Sequence, residues 1–228
     1  MKVFFASVAV VGVLLVAGCG KGDKTAVDAT KAPASAPKKL APAEVQLKDF
    51  AENVPNYLVA VSYDPAVGQY KGLADVAEGF ANDTVKTFKE KVASHAPVTD
   101  ISKKPTLSLN FTSISNTPQF AAVALNGSEF TGGASATPIM KRWVWLPASK
   151  SEVTVEQMFP SAQAAINARG AGGKLVGMEP IANADGRISS IYFVFAKDGA
   201  EDAVDKVVMK AEELKPLADA KYRSLFAE

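Results

Sequence analysis

Imidazole and thiol are the side chains that most readily do chemistry near neutral pH, and this 228-residue chain has one of each, His95 and Cys19. A Ser-His-Asp or Cys-His hydrolase needs its histidine held beside the nucleophile. His95 instead falls at the C-terminal end of a long helical pattern, where a charged imidazole interacts favourably with the helix dipole. One histidine and one cysteine cannot complete a tetrahedral zinc set. Carboxylates are the remaining source of chemistry. Asn183-Ala184-Asp185-Gly186 matches part of an EF-hand loop, but Ile181 then takes the first ligand position and Tyr192 the twelfth, so a turn is expected. Asp198, Glu201 and Asp202 gather three carboxylates within five residues; the segment reads as an exposed acidic loop, with a weak cation site as the competing reading. Distant Asp and Glu residues can meet as a glycosidase pair, yet nothing marks one here. Gly132-Gly133 is not a phosphate loop, because neither Lys-Ser/Thr nor a helix follows. No catalytic, cofactor-binding or metal-ligating residue is assigned, and the chain is expected not to be an enzyme.

The start of the chain carries an address. Lys2 supplies a positive n-region, Val3 to Val16 a nearly unbroken apolar run, and Ala17-Gly18 small residues ahead of Cys19. The run from Val3 to Gly18 is 16 residues, short of the roughly 20 that span the hydrocarbon core. Residues 1–18 therefore read as a signal peptide rather than a transmembrane helix. Leu14-Leu15-Val16-Ala17-Gly18-Cys19 resembles the bacterial lipobox, which implies that Cys19 is the lipidated first residue of a membrane-anchored lipoprotein carrying palmitate-type acyl chains. Two or more such chains at one point give stable anchoring. Gly20 replaces the Asp that retains many enteric lipoproteins at the inner membrane, so a periplasm-facing position on the cell outer membrane is favoured. With Cys19 consumed, no thiol remains for a disulfide. Lys2 leaves with the leader, so the rest of the chain carries 24 Lys plus Arg against 24 Asp plus Glu. That neutrality argues against nucleic acid as a partner, which would call for a basic excess.

Residues 19–43 have no aromatic side chain, three prolines and five lysines, too little apolar area to offset the entropy of ordering. They read as a flexible tether, about 75 Å when extended. One globular domain is expected over 44–228, long enough for a sizeable core. Within it, Tyr57, Val59, Val61 and Tyr63 alternate as a strand that ends at Asp64-Pro65. Leu73, Val76, Ala77, Phe80, Ala81, Thr84 and Phe88 recur at three and four, which predicts an amphipathic helix over 71–95. Leu107, Leu109 and Phe111 mark a one-sided strand. Residues 119–130, 139–146, 151–155, 186–196 and 205–209 also read as strands. A short helix is expected over 161–169, with Ala171-Gly172-Gly173 as its stop and a loop at 174–177. A closing helix over 211–226 is expected to break near Pro216. Strands outnumber helices and run consecutively, so the fold class is α+β, a mainly antiparallel sheet with packed helices.

Phe130-Thr-Gly132-Gly133-Ala134-Ser135, a strand with an aromatic core, and then Val153, Val155, Met158 and Phe159 form a pattern that resembles the bacterial DUF3298 family, the RsiV-like and PdaC-like extracytoplasmic domains. The family element is Tyr-x-Gly-Gly-Ala-His; here Phe130 stands at the Tyr and Ser135 replaces the His. The strand, turn and helix over 56–80 are similar to the companion DUF4163 region, and 204–226 to the family's closing strand and helix. The resemblance implies a backbone role for the two glycines, at a strand bend or a close approach. Ile139, Lys141, Trp143 and Trp145 share one strand face, which is expected to pack on a helix. RsiV-like members bind lysozyme-like muramidases, and PdaC-like members carry the domain beside a separate deacetylase, whose histidine-based metal ligands this chain lacks. The resemblance thus implies binding of a protein partner, a lysozyme-like muramidase, as inhibitor or immunity factor. Phe130, Ser135 and Arg142 are the candidate partner contacts. The rival reading is a peptidoglycan or glycan-binding module without catalysis, which would show exposed aromatic side chains on one sheet face.

Overall fold

The computed structural model describes residues 43–170, 172–197 and 204–228. The signal peptide, Cys19, the tether up to residue 42 and the acidic segment 198–202 lie outside the described residues.

Two sheets and one long helix organise these residues. The first sheet has six strands in sequence order: β1 (Phe50–Val54), β2 (Tyr57–Tyr63), β3 (Thr106–Asn116), β4 (Ala121–Phe130), β5 (Thr137–Leu146) and β6 (Ser151–Glu152). Its neighbours are antiparallel except β2 and β3. That pair runs parallel because helix α1 (Lys71–Val92) carries the chain back between them, and parallel neighbours need such a crossover. The second sheet is an antiparallel trio, β7 (Lys174–Ala182), β8 (Ile188–Ala196) and β9 (Val204–Lys210). Short helices α2 (Val155–Met158) and α3 (Gln163–Arg169) link the sheets, and α4 (Ala211–Leu214) follows β9. The result is the expected α+β class.

Strand alternation sends side chains of the six-stranded sheet into two separate cores. On one face Val59, Val61, Leu107, Leu109, Phe111, Val123, Leu125 and Trp143 meet Leu73, Ala77, Ala81, Phe88 and Val92 of α1. Trp143 lies edge-on to Phe80, with ring centroids 5.5 Å apart, so the tryptophan face does pack on a helix. Through the other face, Phe120, Ala122, Val144 and Leu146 meet Met178, Ile191, Phe193 and Phe195 of the second sheet, together with Met158, Phe159 and Ile166 of the linking helices. Burying each such large side chain stabilises the fold by about 1.5–3 kcal/mol. The six-stranded sheet is thus the middle layer.

Four sequence expectations change. Residues 151–155 form only a two-residue strand, because Thr154 and Gln157 make a reciprocal capping box that starts α2: Thr154 N donates to Gln157 Oε1 at 2.9 Å and Gln157 N to Thr154 Oγ1 at 3.3 Å. The closing helix is one turn, α4, followed by a 3-10 turn at Ala220–Leu225; Pro216, which lacks an N–H, lies in the break. The segment expected as a loop at 174–177 opens strand β7, and β1 was not anticipated at all. β7 contains Gly177, Glu179 and Pro180, none a strand former. It pairs with β8 alone, and an edge position is where a strand tolerates proline. The turn reading of 183–186 holds: Asn183 Oδ1 accepts from Asp185 N at 3.0 Å and from Arg187 N at 2.9 Å.

Candidate functional site

Two places in the fold concentrate polar groups that packing alone does not require. One is the end of the six-stranded sheet beyond the C-terminus of α1. The β3–β4 register pairs Thr106 with Phe130, so the chain arriving from α1 and the tip of the β4–β5 hairpin come to the same end. Lys91, in the last turn of α1, donates to Glu129 on β4 at 2.6 Å and joins helix to hairpin. The incoming loop is held by its own bonds. Val98 N donates to Pro55 O at 3.0 Å, and Lys104, buried, donates through Nζ to Asn53 Oδ1 at 2.6 Å. Asp100 accepts from the Ser102 hydroxyl at 2.7 Å and its backbone N–H at 3.0 Å; these bonds hold its carboxyl below the usual range. Ile101 stands 73% exposed at the crest of that loop, unusual for a large apolar side chain.

Between this loop and the hairpin lies an open groove of about 660 Å³, with His95, Pro97, Val98 and Lys103 on one wall and Thr131 and Gly132 on the other. His95 sits three residues past the end of α1 and reaches back to it through its backbone N–H, 3.0 Å from Val92 O. Ser135 is exposed in the hairpin loop and Phe130 half-buried at the end of β4. The paired glycines correct the sequence expectation. They occupy the exposed loop between β4 and β5 rather than a strand bend, and a Cβ added to either meets nothing within 4 Å. Gly132 is required by its φ of +97°, which side chains rarely adopt.

The second place lies between the sheets. Arg142, proposed from sequence as a surface contact, has its side chain 2% exposed. Its Nε donates to Glu179 Oε1 at 2.6 Å, its Nη1 to Leu125 O at 2.9 Å and Lys141 O at 2.8 Å, and its Nη2 to Asn126 Oδ1 at 3.0 Å. Lys206 on β9 donates to the other carboxylate oxygen of Glu179 at 2.6 Å. The alternation of β5 explains this correction: Arg142 is on the face opposite Trp143 and so points toward the second sheet. A bulge in β7 at Leu175/Gly177 lets the backbone come close, since a Cβ on Gly177 would lie 2.7 Å from Arg142 Cβ. Phe130 and Ser135 therefore share one end of the molecule, and Arg142 belongs elsewhere. Neither Glu179 nor Lys206 was singled out from sequence. Their signal was a carboxylate between Met178 and Pro180 in a segment too irregular to read as a strand.

Among the described residues, no group of three or more His, Cys, Asp or Glu side chains is placed to hold a metal ion.

No protein-family model and no curated protein matches the sequence. The fold has solved counterparts. A DUF3298 family protein of Pseudomonas aeruginosa PAO1 superposes with a TM-score of 0.54 at 11% identity, over 79% of this chain and 96% of that one. A DUF3298 family member from Bacteroides fragilis superposes with a TM-score of 0.53 at 8% identity, over 81% of this chain and 98% of that one. The described residues thus adopt the DUF3298 fold. At such identities the likeness is one of architecture, and function must be argued from the sites.

Proposed function

We propose that this chain is a cell-envelope lipoprotein, anchored through Cys19, that binds a lysozyme-like muramidase as an inhibitor or immunity factor. The observation that carries the reading is the pairing of two loops at one end of the sheet. The loop bearing Ile101 and the hairpin bearing Ser135 frame a groove, and a cleft-plugging inhibitor needs shape and a buried anchor rather than catalytic chemistry. Two further points support it. The fold is shared with DUF3298 proteins, the family whose motif Phe130 to Ser135 resembles. Residues 43–45 run beside the start of α1, where Val45 N donates to Gly68 O at 3.0 Å, whereas the groove lies past the helix's other end, about 33 Å away for 22 residues. The groove and the first described residue, 43, thus lie at opposite ends of α1.

Calorimetric titration against a panel of lysozyme-type muramidases, with cell-wall lysis followed in parallel, tests the reading. Saturable binding near micromolar or tighter with slowed lysis is expected. Ile101→Asp and Ser135→Arg should each weaken binding by about tenfold or more at unchanged melting temperature. Absence of binding to every muramidase, or full affinity in both variants, overturns it. The anchor is checked separately: Cys19→Ser should accumulate as an unacylated, uncleaved precursor.

A further inference from the structure

The Arg142–Glu179–Lys206 cluster opens on a pocket of about 290 Å³ lined by Asn126, Gly127, Pro138, Met140, Arg142, Val204 and Lys206. The charged side chains in that lining are both cations. Glu179 lies between the two cations, one carboxylate shared by a guanidinium and an ammonium, so among the described residues one positive charge is in excess. Asp205, the nearest carboxylate along β9, is paired with Lys197 at 2.9 Å. Arg142 is held rigid by four bonds, and Asn126 spends its carbonyl oxygen on Arg142 Nη2, which leaves its amide N–H groups as donors. Lys206 is 43% exposed and bridges buried carboxylate and solvent. Pro138, Met140 and Val204 add apolar lining to the same pocket. Cations in a fixed, partly desolvated frame bind carboxylates through short charge-assisted bonds, and apolar lining accommodates the methyl of a short acid.

We propose that this pocket is a binding site for a small hydroxy-acid carboxylate with a short apolar group, of the size of a lactyl unit, held by Lys206 and the Asn126 amide beside the fixed charge of the buried Arg142. The site is independent of the groove and of the muramidase reading. Its chemistry is found both in free hydroxy acids and in the lactyl carboxylate that muramic acid exposes where the glycan carries no peptide.

Titration of the full chain with N-acetylmuramic acid, N-acetylglucosamine, lactate and inorganic phosphate tests the assignment. Saturable binding of the two carboxylates is expected, with none by N-acetylglucosamine, which shares the sugar but lacks the acid. Lactate alone matching N-acetylmuramic acid would identify a free acid as the source; tighter binding of the sugar acid would identify the glycan. Asn126→Asp keeps the acceptor for Arg142 but brings a negative charge to the pocket, and Lys206→Met removes one cation. Each should weaken binding by about tenfold or more, with Asn126→Asp unchanged in melting temperature. Phosphate binding as tightly as either acid, equal binding of N-acetylglucosamine, or full affinity in both variants overturns the proposal. So does binding that emerges only in a Glu201→Gln, Asp202→Asn variant, because the pocket would then serve the chain's own carboxylates.

Discussion

The two faces of the six-stranded sheet solve the same burial problem with different polar chemistry. Against α1 the polar contact is peripheral: the phenol of Tyr63 stacks on Phe111 with centroids 4.8 Å apart, and the ion pair of Lys89 with Glu52 leaves its side chains 34% and 28% exposed. Against the second sheet it is an ion pair, Arg142 with Glu179, both nearly inaccessible. A phenol loses little on leaving water, whereas two buried charges cost several kcal/mol each before their attraction offsets it. The α1 face is therefore a conventional core, and the other trades stability for a charged frame that opens on a pocket.

Removing one member of the ion pair breaks the comparison most sharply. Arg142→Met should cost about 3–5 kcal/mol in urea denaturation by leaving the buried Glu179 with Lys206 as its remaining cation, and combining it with Glu179→Leu should recover most of that loss. If the single variant costs less than the double, the pair is not a closed unit and the contrast between the faces fails.

Tyr63 sharpens the other side. Burial, followed by the nearby carboxylates of Glu78 and Asp49, pushes its hydroxyl up to about 12. Below about pH 10 both folded and unfolded chains hold the proton and the residue is silent. Between about 10 and 12 the unfolded chain releases it first, so stability should fall as pH rises through that window. Alkaline denaturation curves of the native chain and Tyr63→Phe should diverge there and coincide near neutrality. The smallest effect concerns the link between the faces. Thr154→Ala, which removes one half of the capping box of α2, should cost about 1 kcal/mol in thermal or urea unfolding.

The legibility of the two faces also differs. On the α1 face β2, α1 and β3 announce themselves by period: Val59 and Val61, then Leu73 to Phe88, then Leu107 to Phe111. Those patterns are local, because a strand or helix half-buried on one side must repeat at two or at three and four. On the other face only β8 and β9 read clearly. β7 carries a bulge glycine, a buried carboxylate and a proline within four residues, each of which locally argues against a strand, and each of which is accepted because of a partner: Arg142 above Gly177 and for Glu179, and an unpaired strand edge for Pro180. The candidate site divides the same way. Phe130 and Ser135, named from a motif, lie at the same end of the sheet. Ile101 was passed over because an isolated apolar residue beside Ser102 and Lys103 has no period. Arg142 was found but misplaced, since its face was legible and the layer covering that face was not.

Composition and short-range pattern were enough for the α+β class and for the long helix and its place on the tryptophan face, because each depends on residues close along the chain. The second sheet's docking, the shared carboxylate of Glu179 and the meeting of two loops around a groove were decided only by tertiary structure. These depend on contacts between residues tens of positions apart, whose charges and odd backbone needs look like defects until the partner arrives.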